Sequence, residues 1–186
     1  MALSTLTVTL IVLGAIVLFI ILLFNALIRL KNQIENSWAQ IDVQLKRRAD
    51  LIPNLVNSVK GYMKHEKGVL ESVTKARTSF LNAGADMGKK AKSSDMLSNA
   101  LKSLFAVSEN YPKLQASQNF LQLQEEITGT ENKISYARQH YNDMVMHFNT
   151  KLQTFPNNTI AGMLHFTKKQ MFEAEASERK NIKVEF

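Results

Sequence analysis

The charged residues best placed for chemistry form two clusters, each beside a stripe of apolar residues. Carboxylates inside a helical bundle could hold a di-iron centre, but such a centre also needs Glu-x-x-His pairs on facing helices. The sequence contains no Glu-x-x-His motif. We therefore predict no catalytic or cofactor-binding residues here, and expect polar pairs that fix how the helices pack. The residues of these structural polar pairs are Asp42, Arg47, Arg48 and Asp50, which form the first cluster, and Glu131 and Arg138 in the second.

The spacing of Glu131 and Arg138 indicates where their partners lie. Seven residues of α-helix span about 10 Å, so these two side chains cannot comfortably pair with each other. Both border an apolar stripe, where an unpaired charge is costly. We expect both to pair with the first cluster, Arg138 with one of its two aspartates and Glu131 with Arg47 or Arg48.

The histidines do not have the spacing of a metal site. His65 and Glu66 begin like the zinc-protease motif His-Glu-x-x-His, but Val69 stands where the second histidine is needed. His140 and His147 are two helical turns apart, too far to share a metal without help. The chain has no cysteine, which excludes a disulfide framework, a thiolate zinc site and a thiol nucleophile. We expect neither a metal nor a cofactor.

The positive charge of the chain is concentrated in one half. The net charge is +7, and residues 29–92 hold 13 Lys/Arg and 6 Asp/Glu, whereas 93–186 hold 10 of each. A basic region of this kind suits an anionic lipid surface, although a solvated lysine-rich helix face explains it equally well. Nucleic-acid binding needs a fuller basic face with groove-reading or aromatic side chains. We expect no nucleic-acid partner.

The first 28 residues contain no charged side chain and predict a membrane anchor. Leu10–Phe24 is an apolar run interrupted only by Gly14, within a stretch that supplies the roughly 20 apolar residues of a spanning helix. No basic residue precedes it and no convincing cleavage site follows it, unlike in a signal peptide. We predict an uncleaved anchor over 1–28 and a helical domain over 29–186. Arg29 and Lys31 follow the anchor and favour a cytoplasmic domain.

Helical spacing of apolar residues dominates the remaining sequence. The first stripe runs from Leu27 to Phe80 and does not change phase at Pro53. Either one long helix kinks at Pro53, or two helices meet at a corner with the proline in the first turn of the second. Ser93-Ser94-Asp95 resembles a capping sequence and predicts the start of another helix there, which ends near Pro112.

A strict seven-residue repeat marks the clearest helix, predicted from about Leu114 to Thr154. Such a repeat is typical of coiled-coil packing between helices. A shorter helix is predicted over about 159–172. The fold class is therefore all-α, with an N-terminal transmembrane helix followed by an elongated up-and-down helical bundle. The repeat consists of Phe120, Ile127, Ile134, Tyr141, Phe148 and Phe155.

Several ordered motifs stand out in the sequence: Asn36–Val56 (NSWAQIDVQLKRRADLIPNLV), Val59–Glu66 (VKGYMKHE), Glu109–Leu114, Asn119–Gln124, Thr130–Ile134, Ala137–Asn142 and Phe155–Pro156. Over about 27–186 the sequence with these motifs resembles the LemA family. Ala49 and Asn181 depart from the pattern, standing where many members have histidine and proline. The resemblance implies a bacterial membrane-anchored helical bundle and carries no catalytic residues with it.

The functional prediction is a non-enzymatic scaffold in the bacterial inner membrane. Such a scaffold would self-associate as a homo-oligomer and organise the lipid bilayer or membrane proteins. The alternative is an adaptor or regulator of another membrane protein, such as a protease, a transporter or a sensor. A large uniform particle favours the scaffold, and a monomer that co-purifies with one partner favours the adaptor.

Overall fold

The computed structural model describes residues 4–172, and within them the chain is helical and contains no strand. The predicted all-α fold class is confirmed. The Asn181 departure from the family pattern lies outside the described residues. The helices, in chain order, are α1 Thr5–Lys60, α2 Lys67–Leu81, α3 Met87–Ser108, α4 Pro112–Gln115, α5 Gln118–Gln153 and α6 Asn157–Met163.

Helix α1 continues through Pro53 and ends only at Lys60. The alternative of a corner between two helices at Pro53 is therefore wrong, and the chain leaves helical geometry over 61–66 instead. Proline has no N–H, so the carbonyl of Ala49 lacks its usual helical donor four residues later. Arg77 of α2 compensates, because its Nε donates to the Ala49 carbonyl oxygen at 2.8 Å.

The chain divides into two compact units, and the larger comprises 40–138 with Phe172. We call it unit 2; it contains the second part of α1, all of α2, α3 and α4, and the first part of α5. Helices α2 and α3 pack against each other around an apolar core. That core includes Ile52, Leu55, Val59, Met63, Val73, Leu97, Leu101, Leu104, Leu114, Phe120 and Ile127.

Helix α3 begins earlier than predicted. The carboxylate of Asp86 accepts a hydrogen bond from the backbone N–H of Lys89 at 2.9 Å and caps the helix, so its first residue is Met87. The chain enters through a turn in which Gly84 has φ of 59°, a value that favours glycine. The predicted start at Ser93 is wrong, because Ser93 lies inside the helix and is buried.

Unit 1 comprises residues 4–39 and 139–171, which are the first part of α1, the last part of α5, and α6 with the segment after it. The predicted helix over 159–172 is corrected here, because α6 ends at Met163. Residues 166–171 are not helical and are held by hydrogen bonds to side chains of α5. Asn149 bonds both backbone groups of Lys169 at 2.9 Å, and the Tyr141 hydroxyl donates to the Gln170 carbonyl at 3.0 Å.

The seven-residue repeat of α5 is buried at five of its six positions. Phe120, Ile127, Ile134, Tyr141 and Phe148 are at most 2% exposed, as the repeat predicts. The sixth, Phe155, is 84% exposed, and its prediction as a core residue is wrong. Helix α5 ends at Gln153, so a residue two positions later no longer follows the buried face of the helix.

The first part of α1 is long and apolar enough to cross a membrane, by length and composition. Its large apolar side chains between Leu6 and Phe24 are exposed except for the half-buried Leu23, and the packed part of the helix begins at Leu27, which is fully buried. A spanning helix needs roughly 20 apolar residues, and this segment supplies them before the first charged residue, Arg29. The arrangement is that of a single-pass membrane protein.

Candidate functional site

Arg48 is the largest fully buried side chain of the described residues. It projects from α1 inside unit 2, where three oxygen-bearing residues surround its guanidinium group. Nη1 donates to the Ser98 hydroxyl at 2.8 Å and to the carboxylate of Glu131. Nη2 donates to the Ser94 hydroxyl at 2.8 Å and to the Ser94 carbonyl at 3.0 Å. These contacts join α1, α3 and α5 through one cation.

Ser94 of α3 links Arg48 to a second arginine. The Ser94 hydroxyl is fully buried and also accepts a hydrogen bond from Nη2 of Arg138 at 2.8 Å. The same nitrogen of Arg138 donates to Oδ1 of Asp95 at 2.8 Å. The Arg138 guanidinium also lies over the ring of Phe172, with Cζ 4.2 Å from the ring centroid, in cation–π geometry. We call Arg48, Ser94, Asp95, Ser98, Glu131 and Arg138 the arginine network.

The charges of the arginine network balance, with two arginines and two carboxylates. Burial lowers the pKa of the Arg48 guanidinium below its ordinary value, and the nearby carboxylate of Glu131 opposes that shift. The Ser98 hydroxyl donates to Oε1 of Glu131 at 2.9 Å and helps to hold that carboxylate beside Arg48. The Nε atoms of Arg48 and Arg138 are buried and find no hydrogen-bond partner among residues 4–172. Loss of a further partner would therefore be costly.

The structure brings together some of the predicted polar residues and separates others. Glu131 contacts Arg48, one of the two partners expected for it. Arg138 contacts Asp95 instead of an aspartate of the first cluster, which corrects that expectation. Asp42 forms an ion pair with Lys90 of α3.

Arg47 and Asp50 are exposed, on the side of α1 away from the network. The reason is helical phase. Their neighbours Arg48 and Ala49 occupy the buried face of α1, so residues one position to either side point outward. No ion pair of Arg47 or Asp50 is present within residues 4–172. The prediction that these two residues belong to the structural pairs thus finds no contact in the described part of the chain.

Sequence reasoning missed the α3 members of the network, Ser94, Asp95 and Ser98. The run Ser93-Ser94-Asp95 is typical of a helix start and was interpreted as one, so its hydrogen bonds to the arginines were not predicted. The available signal was the spacing of Ser94 and Ser98, four residues apart and therefore on one face of a helix. Small side chains at this spacing leave room for two long arginine side chains from neighbouring helices.

The chemistry of the network is that of hydrogen bonding and charge compensation. The arginines donate to the serine hydroxyls and cannot accept a proton from them, while the Glu131 carboxylate is itself bound by a guanidinium. The four histidines are exposed. Among residues 4–172, no group of three His, Asp or Glu side chains is placed to hold a metal ion.

Comparison with known proteins gives a consistent result. A family model described as the LemA family matches residues 37–186. The chain is 29% identical over 158 residues to Protein LemA of Metamycoplasma hominis, covering 85% of this chain and 72% of that protein. It is 22% identical over 184 residues to each of two proteins of Paramagnetospirillum magneticum, Magnetosome protein MamQ 1 and Magnetosome protein MamQ 2, covering 86% of this chain and 68% of each.

Proposed function

The chain belongs to the LemA family, and from this premise we propose that it is a non-enzymatic, membrane-anchored scaffold. In this proposal the chain self-associates through its helices and organises the membrane or other membrane proteins. The lipid bilayer is its first partner and further copies of the chain are the second. The relatives named as magnetosome proteins supply the analogy for a role in membrane organisation.

The observation that carries the proposal is the contrast between the two ends of α1. From Leu6 to Phe24 all of its large apolar side chains but Leu23 are exposed, whereas from Leu27 onward its apolar stripe packs against other helices of the chain. An exposed apolar segment of this length needs a bilayer around it. The most buried ionisable group, Arg48 in the packed part of α1, is used in contacts with α3 and α5. An apolar membrane segment followed by helices whose buried charges serve packing suits an anchored structural protein.

We further propose the bacterial inner membrane as the location, with the helical domain on the cytoplasmic side. The support for this orientation is the charge distribution. Arg29 and Lys31 follow the anchor directly, and Lys46, Arg47 and Arg48 come soon after. Positive residues near the end of a spanning segment favour the cytoplasmic side.

The test is the mass of the purified full-length chain in detergent, measured by light scattering with the detergent contribution subtracted. The scaffold proposal expects a uniform particle containing several copies of the 21.0 kDa chain. The matched control is the same chain in which Ile16→Ser and Leu18→Ser alter the anchor alone. If only the control becomes monomeric, association occurs through the anchor. A wild-type particle that is monomeric at all concentrations contradicts self-association.

A groove on unit 2 favours the second candidate, an adaptor that holds an acidic segment of another membrane protein. Its lining contains Met63, Leu70 and three lysines, together with one carboxylate, that of Glu71. The cavity there has a volume of about 640 Å³. A lining of apolar side chains with an excess of lysines is complementary to an acidic amphipathic segment. A monomeric particle that binds one such segment with fixed stoichiometry would support the adaptor over the scaffold. The lining residues are Lys60, Met63, Lys64, Lys67, Leu70 and Glu71.

A further inference from the structure

Unit 1 exposes large apolar side chains on both sides of α6, outside the anchor itself. Phe155 is 84% exposed, Met163 is 76% exposed and Leu164 is 47% exposed. The interior of the unit is well packed close by, because Ile160 and Ala161 of the same short helix are buried. The exposed side chains are therefore a surface feature of a folded element. We call Phe155, Met163 and Leu164 the apolar rim.

Two sets of aromatic contacts place the rim beside the end of the anchor. Trp38 and Tyr141 pack edge to face, with ring centroids 5.9 Å apart. Further along, the Phe166 ring lies 6.4 Å from that of Phe24 and 6.3 Å from that of Phe148. As residue numbers fall from 38 to 24 on α1, they rise from 141 to 148 on α5. The two helices are therefore antiparallel within this unit.

The antiparallel arrangement indicates which part of α1 lies beside the end of α5, just before Phe155. Residues later in α5 lie closer to the apolar part of α1, and the five residues from Phe148 to Gln153, where α5 ends, correspond to a rise of about 8 Å. Counted from the contact between Trp38 and Tyr141, Gln153 is about level with Ala26 of α1, and Phe155 follows two residues after this end of α5. Leu164 lies two residues from Phe166, whose ring already contacts Phe24.

The charges of this unit complement an anionic surface. Outside the anchor, residues 29–39 and 139–171 contain five Lys/Arg and two Asp/Glu. Lys168, which follows the rim, is exposed. Aromatic and large apolar side chains next to lysines are typical of elements that lie in the interface of a bilayer. If a second copy of the chain covered the rim instead of lipid, contact with its apolar side chains would not require these lysines.

We propose that the apolar rim enters the headgroup region of the same bilayer that the anchor spans, as a second membrane contact. The bilayer would then hold unit 1 at two places, the anchor and the rim. This inference rests on the proposed anchoring of the chain. It adds to that proposal a lipid-binding role for the turn between α5 and α6 and for the end of α6.

Single cysteines can test this, because the native chain has none. Full-length variants Phe155→Cys, Met163→Cys, Ile16→Cys and Tyr136→Cys are spin-labelled and reconstituted into vesicles of phosphatidylcholine and phosphatidylglycerol. Ile16 lies in the anchor and serves as the lipid reference, whereas Tyr136, 74% exposed on α5, serves as the aqueous reference. Collision of each label with oxygen, which concentrates in lipid, is compared with collision with a water-soluble nickel chelate.

The proposal expects positions 155 and 163 to favour oxygen over the nickel chelate, as position 16 does and position 136 does not. If 155 and 163 behave like 136 while 16 remains in lipid, the rim proposal is overturned and the anchor is retained. If all four positions behave like 136, the anchoring itself fails, and the rim proposal with it. Low collision with both reagents at 155 and 163 would mean that protein covers the rim, which also overturns a lipid contact.

Discussion

The buried charge of Arg48 can be tested by removing its partner, Glu131. In Glu131→Ala, Nη1 of Arg48 loses its carboxylate acceptor while the guanidinium group stays buried, with Ser94 and Ser98 as its remaining acceptors. Breaking a buried ion pair from one side costs about 3–5 kcal/mol, because the other charge is left uncompensated. The Glu131 side chain is 40% exposed, so water can partly replace it. We therefore expect a loss of about 3 kcal/mol, the low end of that range.

The neighbouring arginine gives a matched control. Arg47 is exposed, and we expect Arg47→Met to change the free energy of unfolding by no more than about 0.5 kcal/mol, as is usual for surface sites. A double-mutant cycle between Arg48→Met and Glu131→Ala isolates the pair itself. Residues in one hydrogen-bonded network show coupling energies of about 0.5–3 kcal/mol, and we expect the upper half of that range here.

The assay is urea unfolding of the full-length chain in detergent, followed by helical circular dichroism. The comparison is valid where the variants keep the same dependence on urea, since the slope reports the surface exposed on unfolding. The reasoning would be refuted if Glu131→Ala lay within about 0.5 kcal/mol of the native chain and the cycle showed no coupling. In that case the buried guanidinium would be compensated by the serines alone.

Three further predictions address the helices and the topology. Arg77→Met should lower the free energy of unfolding by about 1–2 kcal/mol, because the hydrogen bond to the Ala49 carbonyl beside Pro53 is lost. In a Pro53→Ala background a helical N–H replaces that donor, so urea unfolding should show a clearly smaller loss from the same change. An equal loss in both backgrounds contradicts the account. Phe148→Ala should lower the free energy of unfolding by about 3–5 kcal/mol because that ring is buried in unit 1, whereas Phe155→Ala should lower it by less than about 0.5 kcal/mol. Similar losses at both sites would contradict the difference in burial between the two rings. Finally, a cysteine at Lys89 should resist a membrane-impermeant thiol reagent in intact spheroplasts and react after lysis, and labelling before lysis would reverse the proposed orientation.

The helices and much of the core could be predicted from the sequence because helical periodicity is a local signal. A residue repeated every seven positions returns to nearly the same face, so the buried side chains from Phe120 to Phe148 follow directly. The same periodicity carries no information on where the helix ends. Phe155 continues the repeat in sequence but lies after Gln153, the last residue of α5, and is exposed. Helix ends depend on caps and breakers as well as on the stripe.

The candidate site was predictable only in part, because its contacts depend on which helices face each other. Charged residues on two apolar stripes indicated that Glu131 pairs with Arg47 or Arg48, and the contact with Arg48 is present. The partner predicted for Arg138 was wrong, because its actual acceptor, Asp95, was interpreted as part of a helix cap. The bond from Arg77 to the Ala49 carbonyl shows the same limit. The missing N–H of Pro53 is visible in the sequence, but the side chain that compensates for it comes from another helix.

Self-association in the membrane is the central claim, and counting copies of the chain in native membranes tests it most directly. The full-length chain, fused to a fluorescent protein at the end of the helical domain, is extracted with its surrounding lipid into polymer-bounded discs, and photobleaching steps are counted for single particles. The scaffold proposal predicts several steps per particle, with the same number at low and high expression. Single-step bleaching across the whole expression range, with the fusion protein intact, would contradict it.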